Sequence, residues 1–277
     1  MSLVSDAISQ ANDEGRAALV VYLPAGFPDM ETSQACMEAA VEGGADLLEV
    51  GFPYSDPLMD GPLIQQANQT AMNAGYTPHD DFAMCRRLTA NVAVPALVMT
   101  YYNILWHFEA PDRLRGFARA AADAGLAGAI VPDLPVHEGG PWLEAAAEAD
   151  LASVFLVAST SSDDHLAAAA EASNGFVYAT STLGVTGTRA SLSERAGPLV
   201  FRLRRLTSKP VCVGIGVSTA AHVNAVAAFA DGVIVGSAAV RAAADGGPDG
   251  VRRLVEELAA GCGAGYRSVE RTAESAR

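Results

Sequence analysis

Apolar residues along this chain come in short runs, each preceded by an alanine-rich amphipathic stretch and followed by a loop of Gly, Pro and Asp. The runs predict strands over 18–23, 46–50, 95–99, 128–131, 153–157, 176–179, 211–213 and 232–235. Helical patterns alternate with them, including 31–42, 111–123, 140–149, 163–172, 192–206, 219–229 and 250–260. Three phrases are near-copies of one helix-end, strand and loop design: Gly44 to Gly51, Gly125 to Val131, and Ala230 to Gly236. Strands apolar on both faces, joined by helical returns, indicate a parallel sheet. Eight such units in 277 residues fit a closed (β/α)8 barrel better than an open doubly wound sheet. The expected architecture is one TIM-barrel domain over 1–277, with an extra N-terminal helix within 1–15 and a polar tail over 263–277 that frays. Val4, Ile8 and Ala11 supply the apolar face of that first helix.

In such a barrel the chemistry sits on the loops after the strands. The loop after the second predicted strand stands out. Glu49 ends an apolar run, and Asp56 and Asp60 follow in a Pro-rich segment that reaches Gln65. An acid at the end of a buried strand is costly unless it has a partner or a task. Two carboxyls in contrasting surroundings are what proton transfer requires. Asp56 reads equally well as a turn former beside Ser55 and Pro57, with Pro62 in the first turn of the next helix. At the far side of the same face, Gly214 and Gly216 precede Ser218, and Gly236 precedes Ser237. These glycines would let backbone amides approach an anion, and a short helix from Ser237 would aim its positive end at it. The long Gly/Thr segment over 180–190 reads as a lid.

Composition narrows the partners. The net charge of −14 argues against a nucleic-acid surface, and an anionic ligand would need a local positive device. No apolar run spans a bilayer and the first residues do not form a signal peptide, so a cytoplasmic protein is expected. Four scattered cysteines read as reduced core residues, and five unpaired histidines as surface positions rather than metal ligands.

Taken together, Tyr22 to Pro28, Glu49 to Gln65, Met99 to Asn103, Val131 to Pro135, Leu183 to Gly187, Gly214 to Ser218 and Gly236-Ser237 resemble the tryptophan synthase alpha chain family over essentially the full length. The segment from Glu49 is specific to that family, whereas the glycine pairs occur in many phosphate-binding barrels. The resemblance implies a lyase that splits indole-3-glycerol phosphate into indole and glyceraldehyde 3-phosphate. It implies Glu49 and Asp60 as catalytic acids, with Tyr22, Tyr101, Asp133, Tyr178 and Thr186 around the substrate. Gly187, Gly216, Gly236 and Ser237 would hold the phosphate. It implies no metal and no cofactor in this chain, and a pyridoxal-phosphate beta chain as partner in an alpha2beta2 assembly. Asp133 reads equally as the cap of a turn. The family often has Pro at Ser159 and, in some members, a basic residue near Thr182, so lid closure or the beta-chain contact could differ here. The residues alone leave open a stand-alone lyase that releases indole, or an inactive regulatory relative, against which the retention of both acids argues.

Overall fold

In the computed structural model, which describes residues 2–180, 189–214 and 216–263, the apolar runs become parallel strands flanked by helices. The strands are β1 (Ala18–Pro24), β2 (Leu47–Gly51), β3 (Ala96–Met99), β4 (Gly128–Ile130), β5 (Ala152–Val154), β6 (Leu156–Val157), β7 (Val177–Thr180), β8 (Val211–Gly214) and β9 (Gly232–Val235). Their hydrogen-bonded order is β5-β4-β3-β2-β1-β9-β8-β7-β6. β5 and β6 are two halves of one stave, parted at Phe155. The Ser173 hydroxyl accepts from Phe155 N–H at 3.1 Å, and the Phe155 carbonyl accepts from Tyr178 N–H at 3.1 Å. The run expected over 153–157 is thus one stave with a local break, and the sheet forms the expected (β/α)8 barrel.

The helices Met30–Glu42, Arg113–Asp123, Gly140–Glu148, Asp163–Ala172, Arg189–Arg204 and Ala220–Ala227 fall within a few residues of the predicted spans. Pro62 opens the helix Pro62–Asn73, and two further helices, Pro78–Asn91 and Tyr102–His107, fill returns the pattern did not single out. The C-terminal end carries the expected helix from Ser237 and a second one covering 250–260; they meet in one run, Ser237–Gly263, broken at Gly247 (φ 55°, ψ −149°). Only glycine adopts that backbone readily, and Pro248 after it removes an N–H from the ladder, so two helices join end to end. Of the predicted lid over 180–190, Thr180 ends β7 and Arg189 and Ala190 open the helix Arg189–Arg204, while 181–188 and the tail from 264 lie outside the described residues. Among the described residues, no helix is long and apolar enough to cross a membrane.

Strand alternation sorts side chains into two layers, because successive Cβ atoms point to opposite faces. Val20, Leu47, Leu97, Ile130, Val154, Phe176, Cys212 and Ile234 pack together inside the barrel. The intervening residues, such as Leu19, Leu48, Val98 and Val213, pack outward against the helices. All four cysteines are buried and unpaired, as their scatter suggested.

The bottom of the barrel is closed by the helix Leu3–Asp13, which inserts Val4, Ile8 and Ala11 into the inner cluster. Ser2 caps it, forming a capping box with Ser5, and its hydroxyl also donates to Asn174 O at 2.9 Å. The repeated phrases acquire a physical meaning at this end. Asp46 accepts from Leu19 N–H (2.8 Å) and is gripped by Arg16 through two bonds of 2.6 and 2.8 Å. Asp231 likewise accepts from Val211 N–H (2.7 Å) and pairs with Arg204 at 2.6 Å. Each acid ties the start of its own stave to the neighbouring one. Ile8, fully buried against the inner layer, fixes the plug. Replacing Ile8 with Ala is expected to cost about 2–4 kcal/mol in denaturant unfolding. A loss below about 1 kcal/mol would show that the helix is a detachable appendage rather than part of the core.

Candidate active site

Register carries Glu49 into the barrel. It lies two residues after Leu47, so it shares the inward face, and it sits opposite Tyr22 of β1 and Leu97 of β3. It is 1 % exposed, and its Oε1 has no hydrogen-bond partner among the described residues. Loss of water is the dominant effect on its carboxyl and pushes its pKa up to about 8. Glu49 therefore holds its proton at neutral pH.

The loop after β2 brings a second acid to the same cavity. Asp60 N–H donates to Pro57 O (3.1 Å), which closes a turn, and Gln65 Nε2 donates to Asp60 O (2.9 Å). Its carboxylate accepts from Asn68 Nδ2 at 3.2 Å, one bond reaching back from the helix Pro62–Asn73. Burial raises the Asp60 pKa to about 6, while the hydrogen bonds from Asn68 and Tyr101 act in the opposite direction. The polar loop thus restrains, rather than abolishes, the desolvation of Asp60, which stays mostly ionised at neutral pH. Asp56 is exposed and, among the described residues, takes only the Ser55 hydroxyl (2.6 Å). It does not cap the next helix, whose N-cap is Gly61.

A cavity of about 1220 Å³ opens above these acids. Tyr22 and Tyr178 line it beside Glu49 and Asp60, with Met99, Leu156 and Ile234 as apolar walls. Both phenols are held neutral well above their usual range, first by burial and then by the nearby acids. Glycines make room for them: a Cβ on Gly51 would collide with the Tyr22 ring, and one on Gly214 with Tyr178. Gly214 is therefore a space for the Tyr178 ring. Gly236 is different, since a Cβ there would meet Tyr22 at an ordinary 3.5 Å. The packing alone does not demand glycine at that point.

Gly216, Ser218, Gly236 and Ser237, which follow the adjacent strands β8 and β9, all line the cavity. Gly236 O accepts from Val240 N–H (3.0 Å), so the helix begins there and its first amides have no partner within it. Tyr101 is buried and lies outside the cavity lining; its hydroxyl accepts from Met59 N–H at 3.1 Å, and its ring stacks on Tyr54. It braces the loop that carries Asp60. Asp133 is exposed and accepts from Tyr102 N–H at 2.9 Å. It ties the loop after β4 to that after β3 and is not among the cavity-lining residues. Thr186 and Gly187 lie outside the described residues. Asn68 and Arg241 were not anticipated. Asn68 shares a buried helix face with Ile64, Ala67 and Ala71, where an amide signals a polar contact. Among the described residues no His, Cys, Asp or Glu cluster could hold a metal ion.

The family model of the tryptophan synthase alpha chain matches residues 8–267. The chain belongs to the tryptophan synthase alpha chain family. It is 47 % identical over 264 residues to the tryptophan synthase alpha chain of Streptomyces avermitilis, covering 94 % of both chains. It is 45 % identical to that of Thermobifida fusca, covering 96 % of this chain and 100 % of the relative. A solved structure of Mycobacterium tuberculosis tryptophan synthase superposes with a TM-score of 0.87 at 44 % identity, covering 94 % of this chain and 98 % of the other. The alpha chain from Legionella pneumophila superposes at 0.83 with 27 % identity over 94 % of this chain and 97 % of the other. As a member of this family, the chain is a lyase of tryptophan biosynthesis that cleaves indole-3-glycerol phosphate to indole and glyceraldehyde 3-phosphate.

The buried acid leaves a signature in stability. Glu49 binds its proton more tightly folded than unfolded, so its contribution is complete below its ordinary pKa of 4.5 and is lost as pH rises through about 8. Glu49→Gln does not titrate. The stability of the variant relative to the parent should therefore grow by about 2–5 kcal/mol between roughly pH 5 and 9. A difference that stays flat across that range would mean that Glu49 titrates normally.

Proposed function

We propose that Glu49 exchanges protons at the bond being broken while Asp60 stabilises the indole cation, with the phosphate held at Gly216, Gly236 and Ser237. The observation that supports this most is the pair of carboxyls facing one cavity with pKa values near 8 and near 6. At neutral pH one is an acid and the other a base-like anion, the separation that divides roles between like groups. The apolar walls suit the indole ring, placing it between Tyr22, Met99 and Ile234.

Protonation at indole C3 removes the aromaticity of the five-membered ring and leaves positive charge on the ring nitrogen. Glu49, protonated in its dry site, supplies this proton. Asp60, ionised, accepts the ring N–H and lowers the energy of that cation. The electron pair of the C3–glycerol bond then returns to the ring and restores aromaticity. The adjacent hydroxyl loses its proton to Glu49 and becomes the aldehyde carbonyl of glyceraldehyde 3-phosphate. Glu49 ends as it began. Tyr22 and Tyr178, both neutral, keep water and ions away from it.

The partner is a beta chain that carries pyridoxal phosphate and receives indole directly, in an alpha2beta2 assembly in the cytoplasm. Docking at the face that bears the loops after β2 and β3 is supported by Leu58, 86 % exposed, and Trp106, 45 % exposed. Large apolar side chains left in water mark a contact surface.

Two experiments test this reading. Glu49→Gln should slow the single-turnover cleavage by about 10²–10⁴-fold with substrate binding retained, whereas Asp60→Asn, which keeps an acceptor for the ring N–H, should lose less. Near-normal indole release by folded Glu49→Gln protein would sink the proton-exchange role. Saturating beta chain should stimulate indole release strongly, because docking there closes the site and aligns the Asp60 loop. Equal rates with and without it would favour a stand-alone lyase.

A further inference from the structure

We propose that Arg241 is the cationic contact of the substrate phosphate, an inference that rests on the placement of the phosphate at Gly236 and Ser237. The chain carries a net charge of −14, and the described cavity lining includes the acids Glu49, Asp60 and Asp245. Arg241 is the one cation among the described lining residues. A phosphate monoester brings close to two negative charges into that field. The opening amides of a helix supply roughly half a positive charge. They leave an excess of repulsion that a guanidinium can offset.

The helix aims Arg241 at the right place. It follows Ser237 by four residues, one turn along, on the same face of the helix Ser237–Gly263. Helical side chains lean toward the N-terminus, so a long side chain at this position covers the turn that begins with Ser237. The guanidinium is also free to act. Arg16, Arg115, Arg119, Arg202, Arg204 and Arg252 each hold an acid. Arg241 is exposed and, among the described residues, has no hydrogen-bond or ion-pair partner, not even Asp245 one turn further on. Arginine presents two parallel donors to a phosphate, which fixes orientation as well as charge. The amides would seat the phosphate, and Arg241 would draw it in and close its solvent side.

The test compares Arg241→Ala and Arg241→Lys with the parent chain. Its readouts are steady-state cleavage of indole-3-glycerol phosphate and calorimetric binding of glycerol 3-phosphate and of indole. Arg241→Ala should raise KM and the glycerol 3-phosphate Kd by about 5–20-fold, with kcat within about twofold. Arg241→Lys should retain part of the affinity. Indole, which carries no charge, should bind as before, and the weakening of glycerol 3-phosphate binding by salt should be shallower in Arg241→Ala. Unchanged KM and phosphate affinity, or an equal loss for indole, would overturn the inference. Gly236→Val separates the two layers of the argument. If it abolishes glycerol 3-phosphate binding while Arg241→Ala is harmless, only the role of Arg241 falls. If glycerol 3-phosphate still binds to Gly236→Val protein, the phosphate placement falls with it.

Discussion

The two-residue period of a parallel strand in a closed barrel is the constraint on which the rest of this site depends. It places Glu49 on the inner face two residues above Leu47, in a layer otherwise made of apolar side chains. Among the described residues, no backbone or side-chain donor meets its Oε1. Desolvation without compensation would be a defect in a purely structural acid, because an unpaired buried carboxylate is costly. Here it sets the protonation state. The fold keeps the carboxyl neutral by withholding water and partners, and a proton is thereby stored at the base of the cavity.

The second acid, eleven residues further along the chain, shows the opposite design. Asp60 sits on a loop, where donors are available, and Asn68 and Tyr101 hold its pKa below that of Glu49. Tyr101 and Asp133 are not among the cavity-lining residues; Tyr101 braces the Asp60 loop through Met59 N–H, and Asp133 accepts from Tyr102 N–H. The glycines divide in the same way. Gly51 and Gly214 are spaces for the rings of Tyr22 and Tyr178, while Gly236 sits where neighbouring atoms would tolerate a Cβ. Around Gly236 the protein's own atoms stand at ordinary contact distances, the nearest being Tyr22 at 3.5 Å.

Much of this was legible in the residues. Short apolar runs between alanine-rich helical patterns marked the staves, and the Glu49 to Gln65 segment marked the site, because both are local patterns. The near-copies around Asp46 and Asp231 were visible as repeats, but the reason for the aspartates was not. It lies in contacts to Arg16 and Arg204, which come from other parts of the chain. Asn68 was invisible for the same reason, since its value depends on a loop folding back over its helix. The break at Phe155 depends on a side-chain hydroxyl, Ser173, substituting for a strand partner. The bend at Gly247 was closer to the surface of the sequence, where a Gly-Gly-Pro run stands between two helical patterns. Asp133 was ambiguous from sequence, and the geometry gives it a bracing bond rather than a place in the cavity wall.

The central claim is that the fold separates the protonation states of two carboxyls that face one cavity. Carbon-13 NMR of the substrate-free protein, labelled at its Glu and Asp carboxyls and assigned with Glu49→Gln and Asp60→Asn, measures both directly. Glu49 should titrate near 8 and Asp60 near 6, with Asp60 losing its proton first. A single midpoint in the ordinary carboxylate range for Glu49, or an Asp60 midpoint above it, would contradict the account.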